Sequence, residues 1–249
     1  MMELLSVKQA ATILGIDDSR VRQLLRAGVL EGQQVGGRWL VDGHSARQRN
    51  ERGSAGGRSL SARNAWGLLA ALSGQRTSGL SDAEWSRITR RLRNMTAHDA
   101  LSVVRLGELV RARAVCRRYR VHGGLLPTLL ADPDVVRGGT SAATHVGADY
   151  VAPGRAEIYV HPDRVGKLEA GFGLVRDSTR GNLLVRIPPS EVWPFLRSGP
   201  DTSAEGRDAP VSVVAADLLD IQEDRADTAA ADLLRHLGAA LLHKRREAE

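Results

Sequence analysis

The segment LLSVKQAATILGIDDSRVRQLLRAGVLEGQQVGGRWLV, residues 4–41, constrains the fold most, because its apolar positions switch from helical to alternating period within one short stretch. Val7, Ala10, Ala11 and Leu14 share one helical face behind Ser6, a favourable cap, and Gly15 with Ile16 supplies a turn. A second helix is expected after Asp17 and Asp18. It buries Val21, Leu24 and Leu25, turns Ser19, Arg20, Arg22, Gln23 and Arg26 outward, and stops at Gly28. Residues 29–35 and 38–41 are β-favouring runs around Gly36-Gly37, a pair that permits the positive φ angles of a two-residue hairpin turn.

Two short helices, a tight turn and a small hairpin in this order predict a winged helix-turn-helix. Arginine and glutamine carry the donors and acceptors that read guanine and adenine edges. Ser19, Arg20, Arg22, Gln23 and Arg26 are therefore candidate groove contacts, and Arg38, beside the hairpin tip, a contact to the backbone or minor groove. The competing reading of the segment is a small helical packing module. Its order of Ser, two Ala, Gly, hydroxyl-Arg, Gly and a wing ending Arg-Trp resembles the excisionase and MerR-like helix-turn-helix family. That resemblance stops near residue 41 and implies contact with double-stranded DNA, not an identity for the whole chain.

With 249 residues the chain has room for two or three domains, and its 42% hydrophobic content is ordinary for a globular protein. No apolar run approaches the roughly 20 residues of a membrane span, and the first residues lack the basic-then-apolar order of a signal peptide, so no membrane partner and a cytoplasmic location are expected. Cys116 is the sole cysteine, which excludes an intramolecular disulfide and a cysteine-based zinc site. The net charge of +6 is unevenly spread: residues 1–122 carry 21 Lys+Arg against 10 Asp+Glu, and residues 123–249 carry 14 against 19. Only Lys8, Lys167 and Lys244 are lysine, so arginine abundance alone argues little. The segregation by half argues more: it is the footprint of a DNA-binding part joined to a part with a different job.

The organisation expected is a helix-turn-helix domain at 1–48, a polar Gly/Ser/Arg linker at 49–60, a helical region at 61–116 and an α+β domain at 117–249. In the helical region Ser61 precedes an apolar stripe ending at Gly74, Ser81 with Glu84 forms a capping box, and a third helix is expected around 101–116. Arg87, Arg90 and Arg91 are candidate accessory DNA contacts, with a solvated face as the plain alternative. Beyond residue 117 strands are expected at 118–122, 156–160, 174–176, 183–187 and 211–214, helices at 125–130, 162–170 and 224–243, and an exposed loop at 198–210.

The ordered pieces RYRVHGG, VVRGGTSAATHVGADYV, AEIYVHPDRVGKLEAGFGLV, GNLLVRIP, PVSVVAADLLD and DRADTAAADLLRHL, within residues 117–242, resemble the C-terminal domain of AbiEi-type antitoxins. Those are the transcription-repressing partners of AbiEii nucleotidyltransferase toxins. The resemblance implies a repressor and antitoxin that binds the promoter of its own operon and counteracts an AbiEii-like toxin; the helix-turn-helix mechanism adds the expectation that paired protomers, a homo-oligomer, read an inverted-repeat operator. The first 45 residues depart from that family's usual winged helix.

An enzymatic reading rests on His122, His145, His161, Asp149, Asp163 and Glu157, with His161-Pro162-Asp163 the closest pairing. No His-x-x-x-His or Cys-x-x-Cys spacing, Walker loop, nucleophile elbow or dinucleotide fingerprint is present, so no catalytic residue, cofactor or metal is expected. Gly138-Gly139-Thr140-Ser141 reads as a helix cap or a phosphate cradle. Two further classes compete with the antitoxin: an excisionase-like architectural factor and a ligand-sensing transcriptional regulator.

Overall fold

The computed structural model describes residues 4–26, 30–43, 45–46, 59–95, 103–200 and 206–246. The expected helix stop at Gly28, the linker up to residue 58, the start of the 101–116 helix and the centre of the 198–210 loop lie outside the described residues.

The front of the chain builds β1 (Leu4–Ser6), α1 (Val7–Leu14), α2 (Asp18–Arg26), β2 (Gly32–Val35) and β3 (Arg38–Asp42). Ser6 Oγ accepts from the Gln9 amide while Gln9 Oε1 accepts from the Ser6 amide, so both groups of a capping box are made. Gly15 ends α1 in the left-handed region at φ +63°, which a side chain would oppose. Gly36 and Gly37, at φ +55° and +76°, turn the chain from β2 to β3 with Val35 opposite Arg38. β1 had no clear sequence signal. It adds to the other side of β3, placing Leu5 opposite Val41 and giving the antiparallel order β1-β3-β2. Leu5, Ala10, Val21, Leu24, Leu25, Leu30 and Val41 fill a small core of their own.

The rest forms an α+β body: α3 (Ala62–Leu72), α4 (Asp82–Met95), α5 (Val103–Val110), β4 (Val115–Arg120), α6 (Leu126–Leu130), β5 (Val135–Arg137), α7 (Gly139–Ala142), β6 (Ala156–Val160), α8 (Val165–Gly171), β7 (Val175–Arg176), β8 (Leu183–Ile187), α9 (Trp193–Leu196), β9 (Arg207–Asp208), α10 (Val211–Ile221) and α11 (Asp224–Arg246). The strands make one mixed sheet in the order β7-β4-β8-β6-β5-β9, with β8–β6 and β5–β9 parallel and the other pairs antiparallel. Alternation along β6 assigns its two faces: Ala156, Ile158 and Val160 join a cluster with Leu129, Val165 and Leu168 of α6 and α8, whereas Tyr159 joins the larger cluster built from α3, α5, α10 and α11. Residues of 61–110 and of 136–237 share that larger cluster. No helix among the described residues is long and apolar enough to cross a membrane.

Three local expectations are corrected. The helix expected at 101–116 ends at Val110, and residues 115–116 open β4, which itself ends at Arg120 instead of His122. The run at 211–214 is not a strand but the start of α10, with Pro210 before it. Residues 212–218 are all buried, so the helix shows no one-sided stripe and its Val-rich start imitates a buried strand. The 198–210 segment is not exposed throughout, since Arg207–Asp208 pairs with β5 and Asp208 is fully buried.

At the centre of the helix–sheet interface lies a buried charge network. Arg113, with its side chain 0% exposed, donates from Nη2 to Asp217 Oδ1 at 2.5 Å and Asp220 Oδ2 at 2.7 Å, and from Nη1 to the Val110 carbonyl. Arg186 of β8 donates to Asp220 Oδ2 at 2.8 Å and Glu157 Oε2 at 3.1 Å, and its Nε lies 3.3 Å from Asp217. The Tyr159 hydroxyl and the Gly139 amide donate to the two oxygens of Asp217. Trp66 Nε1–H donates to the Arg113 carbonyl at 2.7 Å, tying α3 to the same point. The paired glycines are required here: a Cβ on Gly138 would lie 2.7 Å from Asp217 Oδ2, and one on Gly139, already at φ +39°, 2.4 Å from Glu157 Oε2. Burial drives the Glu157 carboxyl up despite Arg186, whereas for Asp220 Arg113 and Arg186 more than offset burial and hold it below the ordinary carboxylate value.

Removing the charge of Asp217 leaves Arg113 and Arg186 short of counterions in a dry site. Asp217→Asn is expected to lower stability by about 3–5 kcal/mol in urea unfolding, while Asp232→Asn, which loses only the exposed partner of Arg235, leaves the midpoint unchanged. Glu157 also sets a pH dependence. Its raised pKa means that its contribution is fully present below the ordinary value of 4.5 and is lost as pH rises through the folded value. Glu157→Gln, which mimics the neutral acid, is therefore expected to gain stability relative to the parent as pH rises from the acid range to neutrality, measured by unfolding midpoints across pH.

Candidate nucleic-acid interface

The Asp17 carboxylate accepts from the Arg20 amide at 2.8 Å, fixing the first turn of α2 directly after the Gly15 turn. Val21, Leu24 and Leu25 point into the small core. Helical geometry then places Ser19, Arg22, Gln23 and Arg26 on the opposite face, and these four and Arg20 are all exposed. Arg20 Nη1 donates to Gln23 Oε1 at 3.0 Å, so the two side chains are already aligned. Arg22 lies 3.9 Å from Asp18, an exposed i,i+4 pair that DNA phosphate or a base edge can displace at little cost. Asp18 in the first turn and Arg26 in the last both complement the helix dipole.

The hairpin carries Arg38 at its tip, exposed and directly after the two glycines, and Gln34 Nε2 donates to the Gly37 carbonyl, bracing the turn. Two exposed polar contributors lie outside the expected set. Lys8 of α1 lines a shallow concavity together with Arg20, and Gln34 stands opposite Trp39 on the wing. Lys8 was legible as the only lysine of the first half. Trp39 packs on the small core, and Trp66 is fully buried in the large one, so neither is a stacking platform.

The expected residues are not all brought together. Arg87, Arg90 and Arg91 are exposed on α4, but the buried side of that helix, Ile88 and Leu92, packs into the large cluster of the body and not on the helix-turn-helix. Arg26 lies at the seam between the two parts, in a cleft of about 600 Å³ shared with Arg117, Arg118 and Arg176. Across this seam Ser178 Oγ donates to Asp42 Oδ2 at 3.0 Å, while Asp42 Oδ1 accepts from the Ser45 amide and Ser45 Oγ from the Glu31 amide. Burial raises the Glu31 carboxyl, with Arg118 opposing that rise. The helix-turn-helix that carries α2 is thus held by a hydrogen-bonded docking contact on the body as well as by its own core.

The residues of the enzymatic reading are dispersed. His122 and His161 use Nδ1 to accept the amides of Gly124 and Asp163, each capping a 3₁₀ turn, and Asp163 is 84% exposed. His145 lies 3.3 Å from Asp208, which also receives Arg137 Nε at 2.7 Å. Asp149 is exposed, and Glu157 belongs to the buried network. The amide of Gly139 is taken by Asp217, which removes it from any phosphate cradle. Among the described residues no cluster of His, Cys, Asp and Glu is suited to a metal ion.

Residues 4–45 match the family model of the helix-turn-helix domain. No curated protein and no solved structure matches the chain. The front of the chain is a helix-turn-helix domain, and it marks the protein as a DNA-binding regulator.

Proposed function

We propose that the protein is an operator-binding transcriptional repressor that also serves as the antitoxin of a toxin–antitoxin operon. The observation that carries the DNA half is the exposed row Ser19, Arg20, Arg22 and Gln23, set opposite the buried row Val21, Leu24 and Leu25 on α2. In this reading α2 enters the major groove, Arg38 meets the backbone or minor groove, and Lys8 adds a phosphate contact. Two copies read the half-sites of an inverted repeat. The protein works by positioning and makes no bond, and it needs no cofactor.

The antitoxin half rests on the resemblance to AbiEi-type C-terminal domains. What supports it is where the resembling pieces lie. Gly139-Thr140-Ser141-Ala142 forms α7, Asn182 precedes β8, and Ala216-Asp217-Leu218-Leu219-Asp220 lies in α10. The first and last of these pieces meet at one point, since the Gly139 amide donates to Asp217 and Arg186 of β8 reaches Asp220. Pieces distant in sequence thus serve one buried centre. The partner in this reading is an AbiEii-like nucleotidyltransferase toxin.

In gel-shift titrations at fixed salt, Arg22→Ala or Gln23→Ala is expected to relax sequence preference, losing about 1–3 kcal/mol for a bidentate base contact. Arg38→Ala is expected to weaken all sequences alike and to reduce the salt slope by about one unit. Unchanged operator binding in all three variants overturns the assignment of α2 and the wing. For the antitoxin half, the full chain co-expressed with the gene adjacent to its own is expected to rescue growth. The Arg22→Ala/Gln23→Ala double variant should still rescue, because neutralisation is assigned to the body; failure of the parent chain to rescue contradicts the antitoxin reading and leaves the DNA reading intact.

A further inference from the structure

A cavity of about 410 Å³ lies between the sheet of the body and the helix-turn-helix, which closes one wall with Glu31, Asp42 and Ser45. That volume is within the range of about 300–1,000 Å³ typical of small-molecule sites. Its lining is polar, and its charges are not equally engaged. Glu157 and Asp220 are held by Arg186, Asp42 accepts from Ser45 and Ser178, and Glu223 accepts from the Tyr150 hydroxyl. In contrast, the side chains of Arg111, Arg118 and Arg155, which line the same space, make no ion pair or hydrogen bond with any described residue. Arg118 faces the Glu31 carboxyl electrostatically without pairing to it, so three guanidinium groups on one cavity wall retain their hydrogen-bond donors. Each guanidinium offers a planar fork suited to phosphate oxygens.

A second observation is independent of charge. Thr140 lines the cavity, and its hydroxyl is closed to solvent with no hydrogen-bond partner among the described residues. Buried hydroxyls are normally partnered, so this one is a vacant polar group in the wall of the cavity.

We propose that this cavity binds a small phosphorylated molecule, its phosphate held by Arg118, Arg155 and Arg111 and its polar body by Thr140 and Glu223. The site is distinct from the DNA-reading face and does not depend on the antitoxin role. Its wall connects it to that face: Glu31 directly precedes β2 and Asp42 ends β3, so both strands of the wing start or finish at the ligand. A ligand bridging the body and these two residues favours the docked arrangement of the wing by whatever it gains from touching both parts.

The test is calorimetric titration of the full-length protein with ATP, ribose 5-phosphate and pyrophosphate in separate arms, which distinguish a nucleotide, a sugar phosphate and the bare anion. At least one arm is expected to bind, and Arg118→Gln/Arg155→Gln to weaken that binding roughly tenfold or more, about 1.4 kcal/mol, with an unchanged unfolding midpoint. Thr140→Val should weaken it as well. Bound probe should also slow hydrogen exchange at the wing amides of Gly32–Val35 and Arg38–Asp42. Absence of binding in all three arms at millimolar concentration overturns the site, as does binding that the double variant leaves intact. Binding without added wing protection overturns the coupling to the wing.

Discussion

The body depends on a charge pair taken out of water. Arg113 and Asp217 are both fully buried, and neither could be tolerated there alone. Around them Asp220, Arg186, Glu157, Tyr159 and the Gly139 amide supply further hydrogen bonds and ion pairs, leaving Arg113 Nε and Arg186 Nε without a hydrogen-bond partner, so α7, α10 and the adjoining strands are fixed by geometry as well as by apolar contact. Apolar packing tolerates sliding, but a guanidinium fork that must meet two carboxylates does not. The network therefore specifies which helix lies on which strand. It also accounts for Gly138-Gly139, where any side chain would collide with the network it helps to close.

This centre is linked to the DNA-reading end by a short path. Arg186 belongs to β8, which pairs with β4, and the loop joining β7 to β8 donates from Ser178 to Asp42 at the foot of the wing. A domain as small as the helix-turn-helix buries little surface by itself, and its core rests on a handful of aliphatic side chains. Docking on the body completes its burial at Glu31 and Asp42 while leaving the outward face of α2 free. α2 is thus stabilised from behind by groups that do not lie on its exposed face.

Legibility in the sequence followed the locality of the forces. The capping box at Ser6, the Gly15 turn, the Gly36-Gly37 hairpin and the exposed row of α2 are all set within a few residues of each other, and each was readable. The same holds for the Ser81 capping box, made by Glu84 Oε2 and the Ser81 amide at 2.9 Å. What escaped was set at long range. α10 is buried all round, so its Val-rich start has no polar face to reveal a helix, and β9 is two residues long and exists only because β5 offers an edge. The Arg113–Asp217 pair spans more than a hundred residues of sequence and has no local signature. For the site, the outward face of α2 was readable, but the separation of the α4 arginines from it and the position of Arg26 at the seam required the packing of the two parts.

The central claim is that α2 reads sequence. Selection of bound duplexes from a random DNA pool by the full-length protein tests it most directly. Enrichment of an inverted repeat with half-site centres about 10–10.5 base pairs, or a multiple of that, apart, lost when Arg22 and Gln23 are both alanine, is the predicted result. Retention of DNA without any enriched sequence, or the same enriched sequence in the double variant, would contradict it.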